Sequence, residues 1–155
     1  MKQMKGDLIK LALDGKFDII VHGCNCFCAM GAGIALQIRQ TFPKAYEADR
    51  ETESGDKDKL GKYSWALVNK GDSPLIVING YTQFHHTGQG VLADYKAVEE
   101  LFIHLKTDFP GKRFGYPKIG AGLAGGNWDI IRDIIDKALA GEEHTLVEFS
   151  GNYLT

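Results

Sequence analysis

Two glycine-rich runs carry the strongest chemical signal in this chain: Gly31-Ala32-Gly33, followed by Ile34, and Gly120-Ala121-Gly122-Leu123-Ala124-Gly125-Gly126. Each runs into a stretch with helical spacing. The start of a helix exposes unpaired N–H groups and a partial positive charge, so it attracts phosphate. Glycine keeps side chains out of the way where backbone must wrap an anion. Two such loops could hold the two sides of a diphosphate; the same glycines could equally serve only tight turns. Neither run is a Gly-Lys-Ser/Thr phosphate loop, and the full dinucleotide fingerprint is absent.

The run His22-Gly23-Cys24-Asn25-Cys26-Phe27-Cys28 comes just before the first glycine loop. Its histidine and three cysteines invite a zinc reading. Alternate residues of a strand lie about 6.6 Å apart, too far to converge on one tetrahedral ion, so no metal is expected. The thiols read better as small buried fillers, and nothing near Cys24 in sequence would lower its pKa to make a nucleophile. His22 and Asn25 stand where a strand opens into the loop. An amide there can fix a sugar hydroxyl, and an imidazole can act as acid or base near neutral pH. A histidine bonded within the core is the competing reading. His85-His86, beside Gly88 and Gly90, fall in a loop, where histidines are common with or without a role. Trp128 and Asp129 begin a helix, a position that favours aspartate electrostatically. Phe149 could stack on a base or belong to the core. Asp7 could accept a bond from an exocyclic amine or only start the helix after it.

The elements that must position these residues follow from apolar periodicity. A short strand over 3–5 turns at Gly6-Asp7 into a helix over 8–13. Residues 17–23 read as a buried strand. A helix over 33–41 is followed by a second that Pro43 opens and that runs to Arg50. The stretch 49–62 is the most polar and reads as a helix end followed by a surface loop. Strands over 63–68 and 75–81 are joined by a turn at Gly71-Asp72. Residues 92–109 place Val98, Leu101, Phe102 and Leu105 on one face of a helix. A strand over 113–116, a helix over 128–139 and a strand over 145–149 complete the chain. Alternating strands and helices favour an α/β sheet with helices on both faces, with ligands bound at the carboxyl ends of strands.

The 155 residues fit a single domain, 1–155, large enough for a core without disulfides or metals. Glycines number 19 against 4 prolines, and they cluster at the two loops. A net charge of −2 offers no general attraction to nucleic acid or anionic lipid. No apolar run approaches the roughly 20 residues a membrane span needs. The start of the chain lacks the apolar core of a signal peptide. Three cysteines within five positions do not form a secreted disulfide pattern, so a reducing, cytoplasmic setting and a monomer are expected.

At these residues the chain resembles the macrodomain family. The family's Gly-Asp-aliphatic ending of the first strand is Gly6-Asp7-Leu8, and its Val-Asn-Ala-Ala-Asn signature stands as Val21-His22-Gly23-Cys24-Asn25. The first loop motif is Gly31-Ala32-Gly33-Ile34-Ala35, and the second is Pro117-Lys118-Ile119-Gly120-Ala121-Gly122-Leu123. The motifs occur in family order and span nearly the whole chain. The resemblance implies a three-layer α/β/α sandwich with a mixed, largely parallel sheet that binds ADP-ribose without a cofactor. It implies that Asp7, with Leu8, holds the adenine amine and that Asn25 meets the distal ribose. It also implies that Gly31, Ala32, Gly33, Ile34, Gly120, Ala121, Gly122, Leu123, Ala124 and Gly125 cradle the diphosphate, and that Phe149 packs on adenine.

Departures from the family pattern narrow the branch. His22 replaces the first asparagine of the signature. Together with Gly33-Ile34-Ala35, Thr41-Phe42-Pro43-Lys44-Ala45-Tyr46 and Gln83, it looks like the yeast-type ADP-ribose 1″-phosphate phosphatases. A neighbouring branch cleaves ADP-ribose from acidic side chains with a lysine after the middle strand and an aspartate in the second loop; here the region is Asn79-Gly80-Tyr81-Thr82 and the loop carries Ala124. The phosphatase resemblance implies attack of water on a terminal phosphate, with His22 as acid or base, Asn25 beside it and Asp129 as a second acid–base group. The alternatives are a reader that binds ADP-ribose without catalysis, and a hydrolase of ADP-ribosyl conjugates on protein or nucleic acid.

Overall fold

Period-two alternation along the strands decides which layer each side chain joins. Ile19 and Val21 pack on one face of the sheet with Ile78, Phe114, Tyr116 and Leu146, whereas Ile20 packs on the other with Val77, Ala66, Val68 and Val147. In the computed structural model, which describes residues 1–70 and 73–149, the order is β1 (Lys2–Lys5), α1 (Leu8–Leu13), β2 (Ile19–Cys24), α2 (Gly33–Thr41), α3 (Pro43–Arg50), β3 (Tyr63–Lys70), β4 (Ser73–Tyr81), α4 (Tyr95–Asp108), β5 (Arg113–Tyr116), α5 (Trp128–Ala138) and β6 (Glu143–Glu148). The turn expected at Gly71-Asp72 lies outside the described residues.

Six strands form one sheet in the order β1-β6-β5-β2-β4-β3. Every pairing is parallel except β3 with β4, which pair as an antiparallel hairpin with Tyr63 opposite Gly80. Helices α1, α2 and α3 cover the Ile20 face, and α4 and α5 cover the Ile19 face. This is the mixed α/β/α sandwich anticipated from the sequence. Asp18 ties the starts of β2 and β5 together: its carboxylate accepts from Arg113 N at 2.8 Å and from the guanidinium at 2.9 and 3.1 Å. Those bonds hold the Asp18 carboxyl below its ordinary range.

Helix starts follow side-chain caps. Asp7 Oδ1 accepts from Ile9 N and Lys10 N at the head of α1. Asp94 Oδ1 accepts from Ala97 N at 3.0 Å, so α4 begins at Tyr95 and not at residue 92 as the periodicity suggested. The three residues before it are used elsewhere, since Leu92 N and Ala93 N both donate to Ala124 O and Asp94 N donates to Thr82 O.

The polar stretch 49–62 is not a surface loop throughout. Asp49 and Lys59 are buried, and a single 3₁₀ turn spans Lys57–Lys59. Asp49 Oδ1 accepts from the Tyr81 hydroxyl at 2.7 Å, and the Lys59 ammonium donates to Cys26 O at 3.1 Å while lying over the Tyr81 ring. A charge-rich composition hides this because burial of a charge depends on partners far along the chain.

Candidate functional site

β2 and β5 are neighbours in the sheet and parallel, so the two glycine-rich loops that follow them lie side by side at the same edge. Between them opens a cavity of about 650 Å³, a size that suits a nucleotide-like ligand. Of the residues singled out from the sequence, Asn25, Gly31, Ala32, Gly33, Ile34, Gly120, Ala121, Gly122, Leu123, Ala124 and Phe149 line it.

The backbone of both loops is arranged as an anion cradle. Gly33 adopts φ +58°, a left-handed conformation that a residue with Cβ reaches at a cost. It starts α2, whose N-cap Ala32 supplies no side-chain bond, so the first turn's N–H groups meet the cavity uncapped. By contrast, α5 is closed by Asn127 Oδ1, which accepts from Asp129 N at 2.9 Å. The second loop folds on itself through Ile119 N to Pro117 O, Ala121 N to Lys118 O, Gly125 N to Gly122 O and Gly126 N to Gly120 O. None of these bonds uses the N–H of Gly122, Leu123 or Ala124. Gly23 forms part of the cavity floor, and a Cβ there would stand 2.7 Å from Thr82 Oγ1 and 3.2 Å from Ile119 Cγ2.

Several residues singled out from the sequence lie outside the cavity lining or have their polar groups engaged within the chain. His22 is wholly buried and lies outside the cavity lining, with Nε2 at 2.7 Å from Asn79 Oδ1. Burial pushes its pKa down to about 4, with the Asn79 bond opposing the shift, which favours the neutral imidazole within the core. Asp129 is exposed on the first turn of α5 and also lies outside the lining. Leu8 is fully buried against the α1 face of the sheet, which leaves it no surface for a ligand. Gly125 follows the lining residue Ala124 and Asp7 follows Gly6, whose N–H donates to Glu148 O, but neither is in the lining; Asp7 Oδ1 is engaged by the α1 cap. Asn25 does line the cavity, but its amide serves the chain: Nδ2 donates to Ala29 O at 2.8 Å and Oδ1 accepts from Phe27 N at 2.9 Å. It shapes the wall rather than presenting a free reactive group.

The lining also holds Thr87 and Glu148, which the sequence did not single out, Lys118 and Gln83, which it gave only as parts of the family resemblance, and His86, which it weighed as a loop histidine with or without a role. Lys118 Nζ pairs with Glu148 at 2.9 Å, and this bond holds the Glu148 carboxyl below its ordinary range. Burial pushes the Cys24 thiol well above its ordinary range, with Asp49 adding to the shift and Lys59 opposing it, so no thiolate nucleophile stands in the floor. Among the described residues no group of three or more His, Cys, Asp or Glu side chains is placed to hold a metal. Lys118 stands in the second loop motif, whereas the only sequence signal for Glu148 was its position at the end of a strand that topology places beside β5.

No protein-family model matches the chain. It is 38% identical over 154 residues to a 17.5 kDa protein from the tk–vs intergenic region of Enterobacteria phage T4, with 96% of each chain covered. It is 26% identical over 124 residues to the DNA ADP-ribosyl glycohydrolase of Mycobacterium tuberculosis, matching 80% of this chain but spanning only 34% of that protein. With the ADP-ribose 1″-phosphate phosphatase of Debaryomyces hansenii it shares 25% identity, covering 88% of this chain and 93% of the other. Among solved structures, the macrodomain of Mycobacterium tuberculosis DarG superposes with a TM-score of 0.71 at 22% identity, over 94% of this chain and 95% of that one. The Trypanosoma brucei macrodomain in complex with ADP-ribose superposes with a TM-score of 0.62 at 12% identity, over 96% of this chain and 63% of that one. Family motifs in order, a shared sheet and a cavity between the two loops agree: the chain belongs to the macrodomain family.

Proposed function

We propose that this protein binds ADP-ribose across the two glycine loops and hydrolyses the phosphomonoester of ADP-ribose 1″-phosphate. The observation that carries the binding is the cavity itself, walled by the uncapped start of α2 on one side and the second glycine loop on the other, at the ends of adjacent parallel strands. Backbone N–H groups so placed favour a diphosphate in the middle of the cavity. In the strand order Val147, Glu148 and Phe149 come from the β6 side, fitting the adenosine half; Gln83 and His86 follow β4 on the other side, with Asn25 after β2 between, where the distal ribose and its 1″ substituent would reach. The phosphatase relatives support the choice of reaction.

The test is phosphorus NMR of the purified protein with ADP-ribose 1″-phosphate. Release of inorganic phosphate with the diphosphate intact is the expected result. Broadened diphosphate signals without release would make the protein a reader. The relatives that act on ADP-ribosylated DNA motivate one further substrate, an ADP-ribosylated oligonucleotide. Its cleavage, without action on the 1″-phosphate, would replace the phosphatase reading by glycohydrolysis.

A further inference from the structure

We propose that His86 is the catalytic residue of this cavity, donating the proton that the 1″ oxygen of the distal ribose receives when its phosphate leaves. This rests on the phosphatase reading above and replaces the role that the sequence suggested for His22.

His86 belongs to the segment between β4 and α4, and that segment is fastened to both cavity walls. Gln83 and Ala93 form an antiparallel bridge across its base. Leu92 N donates to Ala124 O at 2.7 Å, which ties the segment to the second glycine loop. On the other side Cys26 N donates to Phe84 O at 3.0 Å, which ties it to the loop after β2. The Phe27 ring fills the corner: its centroid lies 4.9 Å from Phe84, 5.7 Å from His85 and 5.8 Å from His86. Phe27 N is in turn bonded to Asn25 Oδ1, so the His86 imidazole is one packed ring away from the residue at the distal-ribose end.

Elimination leads to the same side chain. Among the described residues, the titratable groups of the lining are Cys24, His86, Lys118 and Glu148. The Cys24 thiol is buried and stays protonated, while Lys118 and Glu148 neutralise each other in an ion pair beside Phe149, at the opposite end. His86 is exposed to the cavity and makes no ion pair. Imidazole is also the side chain whose ordinary titration suits proton transfer near neutral pH.

The step balances as follows. Water oxygen forms a bond to phosphorus as the bond from phosphorus to O1″ breaks, and the electron pair stays on O1″. The His86 imidazolium gives its proton to O1″, producing the free anomeric hydroxyl. The attacking water keeps one proton as the hydroxyl of hydrogen phosphate and returns the other to the imidazole.

The experiment compares wild type with H86A and H86Q for phosphate release from ADP-ribose 1″-phosphate, for ADP-ribose affinity by calorimetry, and for the pH profile of kcat. The expected result is a loss of about 100-fold or more in kcat in both variants. ADP-ribose affinity stays within about threefold, as it should when the lost interaction acts only in the transition state. The kcat profile loses one limb in both variants, and added imidazole restores part of the H86A rate. The other ionisable groups near this end are His85, Lys57 (whose ammonium lies 4.9 Å over the Phe84 ring), Cys24, Cys26 and, across the cavity, Lys118 with Glu148. Undiminished turnover in H86A overturns the role of His86 and leaves the phosphatase reading standing. Parallel loss of turnover and affinity, without rescue by imidazole, also overturns it and makes His86 a binding residue. Wild-type protein that binds ADP-ribose but releases no phosphate overturns the reading and the role of His86 together.

Discussion

His22 and Asn79 face each other across the parallel pair β2 and β4, with Nε2 and Oδ1 2.7 Å apart and both side chains wholly buried. Asn79 Nδ2 donates to Ala45 O and to Ser64 Oγ, so its oxygen is the end turned toward the imidazole. The network therefore assigns the proton to Nε2, which donates, and leaves Nδ1 as an acceptor 3.7 Å from the Cys24 thiol. One polar chain thus links β2, β4, β3 and α3 through the core, and the histidine that most resembles a catalytic one in the sequence is part of it.

Replacing His22 by alanine should consequently act on stability first. It leaves Asn79 Oδ1 buried without its donor and opens space in the core, a loss of about 2–4 kcal/mol. Urea unfolding measures this directly. At a temperature where the variant remains folded, it should keep its phosphate-releasing activity. A folded His22→Ala protein with wild-type stability and no turnover would return His22 to the mechanism.

Acid should destabilise the protein through the same residue. The pKa of His22 is depressed to about 4 in the fold from an ordinary 6.5. Between those values the unfolded chain binds a proton that the native state refuses, so stability rises with pH and is lost on acidification. The full loss across that window is about 3 kcal/mol. His144, pushed down by burial and by the nearby N-terminal amine, acts in the same direction. Asp49 opposes it, because burial raises its pKa and the native state then gains a proton more readily than the unfolded chain. Urea midpoints at pH 7.5, 6 and 5 should fall in that order for wild type and fall less steeply for His22→Gln. An equal slope in the two proteins would shift the acid sensitivity to other groups.

Gly33→Ala tests the first loop. A Cβ at φ +58° costs about 1 kcal/mol in backbone strain, which a small fall in Tm reports. If α2's uncapped N–H groups hold the diphosphate, the strained turn also misplaces them, and the Kd for ADP-ribose should rise about tenfold or more in calorimetry. Lowered stability with unchanged affinity would mean that the phosphate sits elsewhere.

Lys59→Met tests whether the buried charge in the polar stretch is structural. The substitution keeps most of the side-chain volume but removes the donor to Cys26 O and the positive charge that offsets buried Asp49. A loss of about 1–3 kcal/mol is expected, since a buried acceptor and a carboxylate are left without compensation. Calorimetric melting at neutral pH provides the value, and a melting point equal to wild type would make the lysine a spectator.

Much of the fold was legible in the chain because the signals are local. The helices at Leu8–Leu13, Gly33–Thr41 and Pro43–Arg50 and the strand Arg113–Tyr116 begin and end where periodicity, Pro43 and the glycine runs placed them. The two anion loops were visible for the same reason: glycine clusters ahead of helix starts are a property of consecutive residues. Boundaries shifted where a distant partner competed for the backbone, as Ala124 does for the N–H groups of Leu92 and Ala93.

What the sequence determined by itself, then, was the set of elements, the two glycine-rich loops and the family. The tertiary structure alone decided that β2 and β5 are neighbours, which brings loops nearly 90 residues apart in the chain onto one cavity. It also decided which way His22 points. Alternation along β2 shows that His22 shares a face with Ile20, but whether that face meets ligand or core depends on which helices cover it, and α3 does so through the bond from Asn79 to Ala45. His86 is the converse case. Nothing in its local sequence distinguishes it from a solvent-facing loop histidine, and only the packing of Phe27 and the tether to Ala124 turn it into the cavity. Side-chain direction and strand order are settled by long-range packing, which no window of neighbouring residues encodes.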